Sequence, residues 1–360
     1  MNNADLKTLI HKQKPNFSLD QEFYINQDIF DLDIKNIFSK QWVFVGHISR
    51  IPNHGDYFLF NIGKESIIIV RDKDNSVHAH YNVCRHRGSK ICLENEGNSK
   101  ALICPYHAWT YNLDGSLKGA RLMGKDFNKK DWHLHKCNSK IFEGLIFINL
   151  SDSSNDFEEF ISPTKKFIEF HGLSDAKIAH RQYYPTNGNW KLTLDNFHEC
   201  YHCQPSHPEY CQVHDKDYIV AYGAGSNTGP ASEKFDNILT EWNKKVEKMG
   251  HLTGEYYETE FNDYSRSAER TPLKEGMFTE TKSGKPISKL MGKFKDYDSG
   301  YTSVGTSPFN SLLMCNDFAT LFTFIPVSPL YTQVELMWLV HKDAEEGKDY
   351  NLEEMKWMWD

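Results

Sequence analysis

The sequence predicts an α+β protein in which an all-β domain is followed by a domain of helices laid on an antiparallel sheet. Three observations carry that expectation. Residues 42–150 read as short strands separated by turns, a polar stretch at residues 151–156 interrupts them, and strand text returns only late, at residues 318–326 and 332–341. Taken in order, residues 20–45 read as a lead-in helix and then a strand, with Phe30, Ile34, Ile37 and Phe38 on one helical face. Residues 57–60, the β-branched run 66–70 and residues 144–150 read as strands. Turn chemistry separates them at Asn53-His54-Gly55-Asp56, at residues 71–75 and at Asp114-Gly115. Helical text begins near Pro163 and again near Asn189. Residues 220–300 are polar and rich in Gly and Lys, and they read as long surface loops with short helices. The expected division is a lead-in over residues 1–41 packing on the second domain, an all-β domain over 42–150, and the second domain over 151–360.

Composition narrows the function. A chain of 360 residues has room for two domains, and its 14% aromatic content is too high for a disordered one. Lys and Arg number 41 against 49 Asp and Glu, a formal charge of −8, which argues against nucleic-acid binding. No apolar run approaches the roughly 18 residues of a membrane span, and the first fifteen residues contain no apolar core of a secretory signal. A cytoplasmic protein is expected, and in that compartment the eight cysteines read as thiols or metal ligands rather than disulfides.

Two constellations carry chemistry. The first is Cys84-Arg85-His86 and Cys104-Pro105-Tyr106-His107, with 17 residues between His86 and Cys104. Each half offers one thiolate and one imidazole from a loop in strand-rich text. A structural zinc site is one reading, but its usual order is two Cys and then two His. The mixed order Cys-x-His and Cys-x₂-His suits a two-iron, two-sulfide cluster with both Cys on one iron and both His on the other. Gly88 and Pro105 would let the loop backbone bend close to it.

The second constellation lies in residues 189–208. On a helix, Glu199 and His202 are three apart and share a face. His207 is five beyond His202, about 140° further round an unbroken helix, and Pro205 offers a stop that would let the chain turn His207 back. Two imidazoles and a carboxylate on one face of an iron leave positions open for oxygen and substrate. Core packing is the alternative for a His pair in such aromatic text. Asp195 is a possible acceptor for a ligand imidazole, or else a solvated or capping residue.

Asn82-Val83-Cys84-Arg85-His86-Arg87-Gly88 and Cys104-Pro105-Tyr106-His107-Ala108-Trp109-Thr110-Tyr111 resemble the cluster loops of the Rieske non-haem iron oxygenases, in their large (α) subunits, also called the ring-hydroxylating oxygenase family. The resemblance runs from about Glu22 to Asp360. It implies a Rieske [2Fe-2S] cluster on Cys84, His86, Cys104 and His107, and a catalytic domain of START-like helix-grip fold. It also implies a mononuclear Fe(2+) on His202 and His207, with O2 as co-substrate. Glu199 fills the place of the acid that relays electrons between cluster and iron, where aromatic-ring enzymes usually carry Asp. The third iron ligand of the family is a carboxylate in a later helix; here the text stops at Lys356-Trp357-Met358-Trp359-Asp360, so that ligand is expected beyond Asp360 in a longer chain, and neither Asp360 nor Asp317 is assigned.

Glu199-Cys200-Tyr201-His202-Cys203, His207-Pro208-Glu209-Tyr210 and the text from Val340 to Tyr350 resemble most closely the branch that oxidises quaternary ammonium compounds, the glycine betaine, carnitine and choline oxygenases. Phe318, Phe322 and Phe324 alternate on a predicted strand, where they would either line a cation pocket or pack in the core. The run from Gly223 to Gly229 lacks both a preceding strand and the G-x-G-x-x-G spacing, so it reads as a loop. Without a nucleotide or flavin site, electrons from NAD(P)H must come through a separate flavin/iron-sulfur reductase. The resemblance further implies a homotrimer. An aromatic-ring dioxygenase, a Rieske electron carrier and a zinc-stabilised binding module are the alternatives; the 210 residues after residue 150 weigh against a carrier.

Overall fold

A computed structural model describes residues 3–220, 230–258, 266–307 and 309–360, and divides the chain into two compact units, Asp33–Ser154 and the remainder. The glycine run 223–229 lies outside the described residues. Among those described, no helix is long and apolar enough to cross a membrane.

The unit Asp33–Ser154 is built on strands β1 (Val43–His47), β2 (Asp56–Ile62), β3 (Glu65–Arg71), β4 (Val77–Tyr81), β5 (Glu96–Asn98), β6 (Leu102–Ile103), β7 (Thr110–Tyr111), β8 (Leu117–Gly119), β9 (Asn138–Phe142) and β10 (Leu145–Asn149). They form three antiparallel sheets, ordered β1-β10-β9, β4-β3-β2-β5 and β6-β7-β8. The β-branched run of β3 is buried on both faces, as a central strand between β2 and β4 requires. Its Ile68 and Val70 join Leu102, Trp109, Tyr111 and Leu117 in one apolar core that also takes in Cys84 and Cys104.

The second unit is a seven-stranded antiparallel sheet with helices against it. Its elements in chain order are α1 (Phe157–His171), β11 (Ala176–Thr186), α2 (Trp190–His198), α3 (Cys203–Ser206), α4 (Pro208–Val213), α5 (Pro230–Lys248), β12 (Gly254–Tyr257), β13 (Ser267–Pro272), β14 (Gly300–Ser307), β15 (Asn310–Met314), β16 (Phe318–Ser328) and β17 (Tyr331–His341). The sheet order is β11-β17-β16-β15-β14-β13-β12, so the first strand of the unit lies beside the last. The predicted late strands are β16 and β17, joined in register from Phe318↔Val340 to Ser328↔Tyr331.

Helix boundaries differ from the sequence expectation in two places. Helix α1 starts at Phe157, with the Asp156 carboxylate accepting from the Glu159 N–H at 2.9 Å, and Pro163 sits inside it. A proline in a helix interior removes the N–H that the carbonyl four residues earlier would receive. That carbonyl, on Glu159, is served instead by Arg266 Nη1 at 3.0 Å and Ser162 Oγ at 3.3 Å. Residues 230–248, expected as loop with short helices, form the 19-residue helix α5. Its apolar stripe is narrow, Phe235, Leu239, Trp242 and Val246 in a field of Lys, Glu and Asp, which dilutes the signal. Phe235, Trp242 and Val246 are buried all the same.

Behind that helix lies the most densely bonded carboxylate of the unit. Asp298 receives Arg270 Nη2 on both oxygens at 2.8 and 2.7 Å, the Gly300 N–H at 2.9 Å and Asn316 Nδ2 at 3.1 Å. The Lys295 N–H donates to His251 Nε2 at 3.1 Å, so the His251 proton sits on Nδ1 and points at Asp298, 2.7 Å away. Burial would raise the Asp298 carboxyl, but Arg270, His251 and Asn316 hold it below the ordinary carboxylate range. A depressed folded value means that this stabilisation is complete above about pH 4 and is lost as pH falls through the folded value. Asp298→Ala, which strands Arg270 without its partner, is expected to cost about 3–5 kcal/mol in denaturant unfolding at pH 7, and the deficit should shrink as the pH is taken below 4.

Candidate cluster and metal centres

In the first unit the two halves of the Cys/His motif fold as matching loops. The Cys84 N–H donates to the Ser89 carbonyl at 2.8 Å and the Gly88 N–H to the Cys84 carbonyl at 2.9 Å. Correspondingly, the Cys104 N–H donates to Trp109 at 2.9 Å and the Ala108 N–H to Cys104 at 3.0 Å. The fourth residue after each cysteine is left-handed, Gly88 with φ 73° and Ala108 with φ 57°. Nothing lies within 4 Å of a Cβ added at Gly88, so glycine is there for its backbone angle rather than for space.

These loops set thiols inside and imidazoles outside. Cys84 and Cys104 are buried and near enough to influence each other, whereas His107 is exposed and His86 partly so. The two imidazole rings meet edge to face with centroids 4.7 Å apart, and His86 Nδ1 is buried with no partner among the described residues. Trp109 stacks flat on His86 at 4.8 Å. Donors paired two and two, a thiol and an imidazole from each loop, suit a binuclear cluster. The residues therefore fit the [2Fe-2S] group.

Tyr111, which the sequence motif gives no role of its own, touches this site. Its hydroxyl accepts the Arg85 N–H at 3.1 Å, which turns its own proton toward Cys84 Sγ, 3.3 Å away. The signal was available in Trp109-Thr110-Tyr111, an alternation that puts both large rings on one face of the chain as it leaves the Cys104 loop into β7.

In the second unit, helix α2 is anchored at its start by Asn189. Its side-chain Oδ1 accepts the Lys191 N–H at 3.0 Å, and its Nδ2 donates to Tyr24 O and Pro329 O, both at 2.8 Å. The helix ends at His198, and Glu199 is extended, with φ −124° and ψ 152°. Glu199 and His202 therefore do not share a helical face, as the spacing suggested. They meet across a turn in which one Glu199 oxygen accepts the Tyr201 N–H and the other accepts His202 Nδ1–H. A side chain that captures backbone donors in this way competes with the helix and stops it. Pro205 does not end the helix either; it lies in the one-turn α3, whose first turn tolerates proline. That turn brings His207 to His202, with ring centroids 5.0 Å apart and planes at 78°.

Charge completes the geometry. Partial burial pulls the Glu199 carboxyl upward, but the hydrogen bonds from His202 and Tyr201 win and hold it below its ordinary range, so it is an anion. Desolvation, then the neighbouring His202, lowers His207, which keeps that imidazole neutral with a lone pair to give. Glu199, rather than Asp195, is the acceptor that fixes the His202 tautomer, and Asp195 is exposed. The donor set, two imidazoles with one Nδ1 already engaged, fits a mononuclear iron.

Both rings open on a cavity of 1110 Å³ lined also by Phe197, Tyr210, Tyr218, Glu269, Tyr301 and Trp359. Other expected residues fall elsewhere. Phe322 and Phe324 are buried under Phe197, at 5.0 and 5.1 Å, and Phe318 is buried too, so their alternation reflects core packing. Asp317 is buried and holds a loop, accepting from Thr279 Oγ1 at 2.6 Å and from the Ile287 and Ser288 N–H groups at 2.9 and 3.2 Å. Asp360 accepts from Tyr184 at 3.2 Å and pairs with Lys356 at 3.1 Å.

Paired Cys/His loops on a β unit, and a turn over an antiparallel sheet in which a carboxylate orients one of two facing histidines, suit a protein that holds an iron-sulfur cluster and a non-haem iron. Comparison with known proteins agrees. The Rieske [2Fe-2S] domain family matches residues 41–134 and the ring hydroxylating alpha subunit (catalytic domain) family residues 173–360. The oxygenase subunit of glycine betaine monooxygenase from Pseudomonas aeruginosa is 35% identical over 357 residues, covering 98% of this chain and 80% of that protein. The oxygenase subunit of carnitine monooxygenase from Escherichia coli K12 is 36% identical over 199 residues, 54% of this chain and 53% of that protein. Among solved structures, the quaternary ammonium Rieske monooxygenase CntA in complex with an inhibitor superposes with a TM-score of 0.67 at 23% identity, over 93% of this chain and 78% of that one. Naphthalene 1,2-dioxygenase from Rhodococcus sp. gives 0.66 at 23% identity, over 94% and 77%.

The chain belongs to the Rieske non-haem iron oxygenases, the ring-hydroxylating oxygenase family, as an oxygenase (α) subunit. It is an oxidoreductase that incorporates molecular oxygen, and like other oxygenase subunits of this kind it works with a reductase and a small-molecule substrate.

A hydrogen bond to a cluster sulfur ligand favours the reduced, more negative state. Tyr111→Phe removes one worth about 1 kcal/mol, so the cluster potential should fall by roughly 40 mV in a spectroelectrochemical titration. An unchanged potential would separate Tyr111 from the cluster.

Proposed function

We propose that this chain oxidises an N-methyl group of a quaternary ammonium compound of the betaine type. The observation that carries the reading is the charge of the cavity beside His202 and His207. Glu199, Asp236, Glu255, Glu258 and Glu269 line it against a single guanidinium, Arg266, which is already bound to Glu258 at 2.8 Å. Such a wall raises the local concentration of cations and repels anions. An aromatic hydrocarbon would gain nothing from it, which disfavours ring dihydroxylation. The names of the relatives point the same way.

In this reading residues 42–150 carry the cluster on Cys84, His86, Cys104 and His107. Residues 151–360 carry the iron on His202 and His207; of the expected lead-in 1–41 only the part up to Leu32 belongs with them, since residues 33–41 fall in the unit Asp33–Ser154, and the bonds from Asn189 and Lys191 to Tyr24 O and Phe23 O support that packing. The cluster supplies single electrons, and the iron the place where O2 is activated. Glu199 has two tasks. It holds the His202 proton on Nδ1, leaving Nε2 free to ligate, and it offers a carboxylate path for electrons arriving from the cluster of a neighbouring subunit in a homotrimer. Electrons originate from NAD(P)H through a flavin/iron-sulfur reductase in the cytoplasm. Hydroxylation of an N-methyl carbon, using O2, two electrons and two protons, yields water and a hydroxymethyl ammonium; its C–N bond then breaks to release formaldehyde, the tertiary amine and a proton.

The direct test supplies reductase, NADH and either glycine betaine or naphthalene and measures formaldehyde and substrate-dependent O2 uptake. Formaldehyde from the betaine alone supports the reading, and uptake with naphthalene alone overturns it. His202→Ala should leave the visible spectrum of the cluster intact and lower turnover at least about 100-fold; retained turnover would remove His202 from the iron. For Glu199→Gln we expect unchanged iron content but slow oxidation of the pre-reduced cluster in a single turnover, because the neutral amide neither holds His202 as an anion does nor replaces the relay. Cluster oxidation at the parent rate would contradict both tasks.

A further inference from the structure

The wall of the cavity formed by β12, β13 and the chain after α4 holds one carboxylate in an arrangement that the iron chemistry does not require. Glu269 lies on β13, partly buried, and accepts two tyrosine hydroxyls, Tyr218 Oη at 2.8 Å and Tyr257 Oη at 2.6 Å. All three residues line the same cavity as His202 and His207. Tyrosine hydroxyls bonded to a carboxylate fix where its charge sits without neutralising it.

No Lys or Arg pairs with Glu269 among the described residues, and the residues left undescribed include none. Its cross-strand partner is another acid, Glu255, which also lines the cavity. Like charges directly opposite on neighbouring strands repel. Burial, and then Glu255, push the Glu269 carboxyl above its ordinary range despite the two hydroxyls. The fold thus holds a carboxyl with two hydroxyl donors and no cationic partner among the described residues, and a cation in the cavity would favour its ionised form.

Resting on the quaternary ammonium reading, we propose that Glu269, held by Tyr218 and Tyr257, is the residue that selects the substrate's cationic head. The head sits against the carboxylate and the exposed ring of Tyr257, with the buried Tyr218 holding the carboxylate from behind, an ion pair completed by cation–π contact. Because a quaternary nitrogen has no N–H to donate, it asks for charge and ring faces rather than hydrogen-bond acceptors, and the hydroxyls are already spent on Glu269. Arg266 is equally spent, on Glu258 and on the Glu159 and Phe160 carbonyls, so it is not a counterpart for the substrate's own carboxylate.

The test is calorimetric titration of the anaerobic, iron-loaded holoenzyme with glycine betaine, L-carnitine and 3,3-dimethylbutanoate, which is glycine betaine with carbon in place of the charged nitrogen. The parent protein should bind one of the two cations at least about tenfold more tightly than the neutral-headed analogue. Glu269→Gln should abolish that preference by weakening the cation about tenfold or more while leaving 3,3-dimethylbutanoate within about twofold. Parent protein with no preference for a cation overturns the substrate reading itself. A preference that survives intact in Glu269→Gln leaves the substrate reading standing and overturns the role of Glu269. Should Glu269→Gln lose the cluster absorption or fail to melt cooperatively, Tyr257→Phe decides. That variant keeps the ring and removes one hydroxyl, and it should weaken the cation about threefold to tenfold but not the neutral analogue; parent affinity for the cation overturns the proposal.

Discussion

The turn that carries His202 and His207 depends on one carboxylate stopping one helix. Were α2 to continue past His198, Glu199 and His202 would stack along its flank and His207 would face away, since five residues turn an α-helix by about 140°. The Glu199 side chain prevents this by taking the Tyr201 N–H and the His202 ring proton into its own two oxygens. The backbone then turns once, α3 turns it again, and the two imidazoles meet at 78°. One interaction thus ends the helix, fixes a tautomer and brings the second histidine in. Glu199 is first of all a structural element.

How much of this was legible in the sequence depends on the range of the interaction. The Cys/His motif is local, two residues and then three, and each half folds as a loop that sets its thiol inside and its imidazole nearer the surface. The β-branched run at residues 66–70 announced a buried strand because β-branching and burial act on the same few residues. The histidine pair was legible too, though for a wrong geometric reason: a shared helical face and a proline stop were expected, and a side-chain-capped turn does the work. The misses come from contacts that span the chain. Helix α5 hides its four-residue stripe among charges, and only the sheet it packs on gives the stripe meaning. Phe322 and Phe324 alternate as a pocket wall would, but Phe197, brought from α2, covers them. Glu269 carries no sequence signal, because its two hydroxyls come from residues 12 and 51 positions away.

The two metal-binding designs solve the same problem with different means. Around the cluster, paired backbone hydrogen bonds hold each cysteine loop, so the ligands are positioned by main chain and the left-handed residues Gly88 and Ala108 complete the curve. Around the iron, side chains do the positioning, and the neighbourhood is thiol- and tyrosine-rich: Cys203, Tyr218 and Phe235 pack with Cys200, Tyr210 and Cys211. Main-chain positioning tolerates side-chain variation. Side-chain positioning transmits it.

Pro163 illustrates how far such transmission reaches. By withholding an N–H from the Glu159 carbonyl, it leaves a vacancy in α1 that Arg266 fills, and the same guanidinium clasps Glu258 on the cavity wall. Helix α1 and the acidic wall thereby share one guanidinium through different N–H groups, which ties the seating of the helix to the position of Glu258.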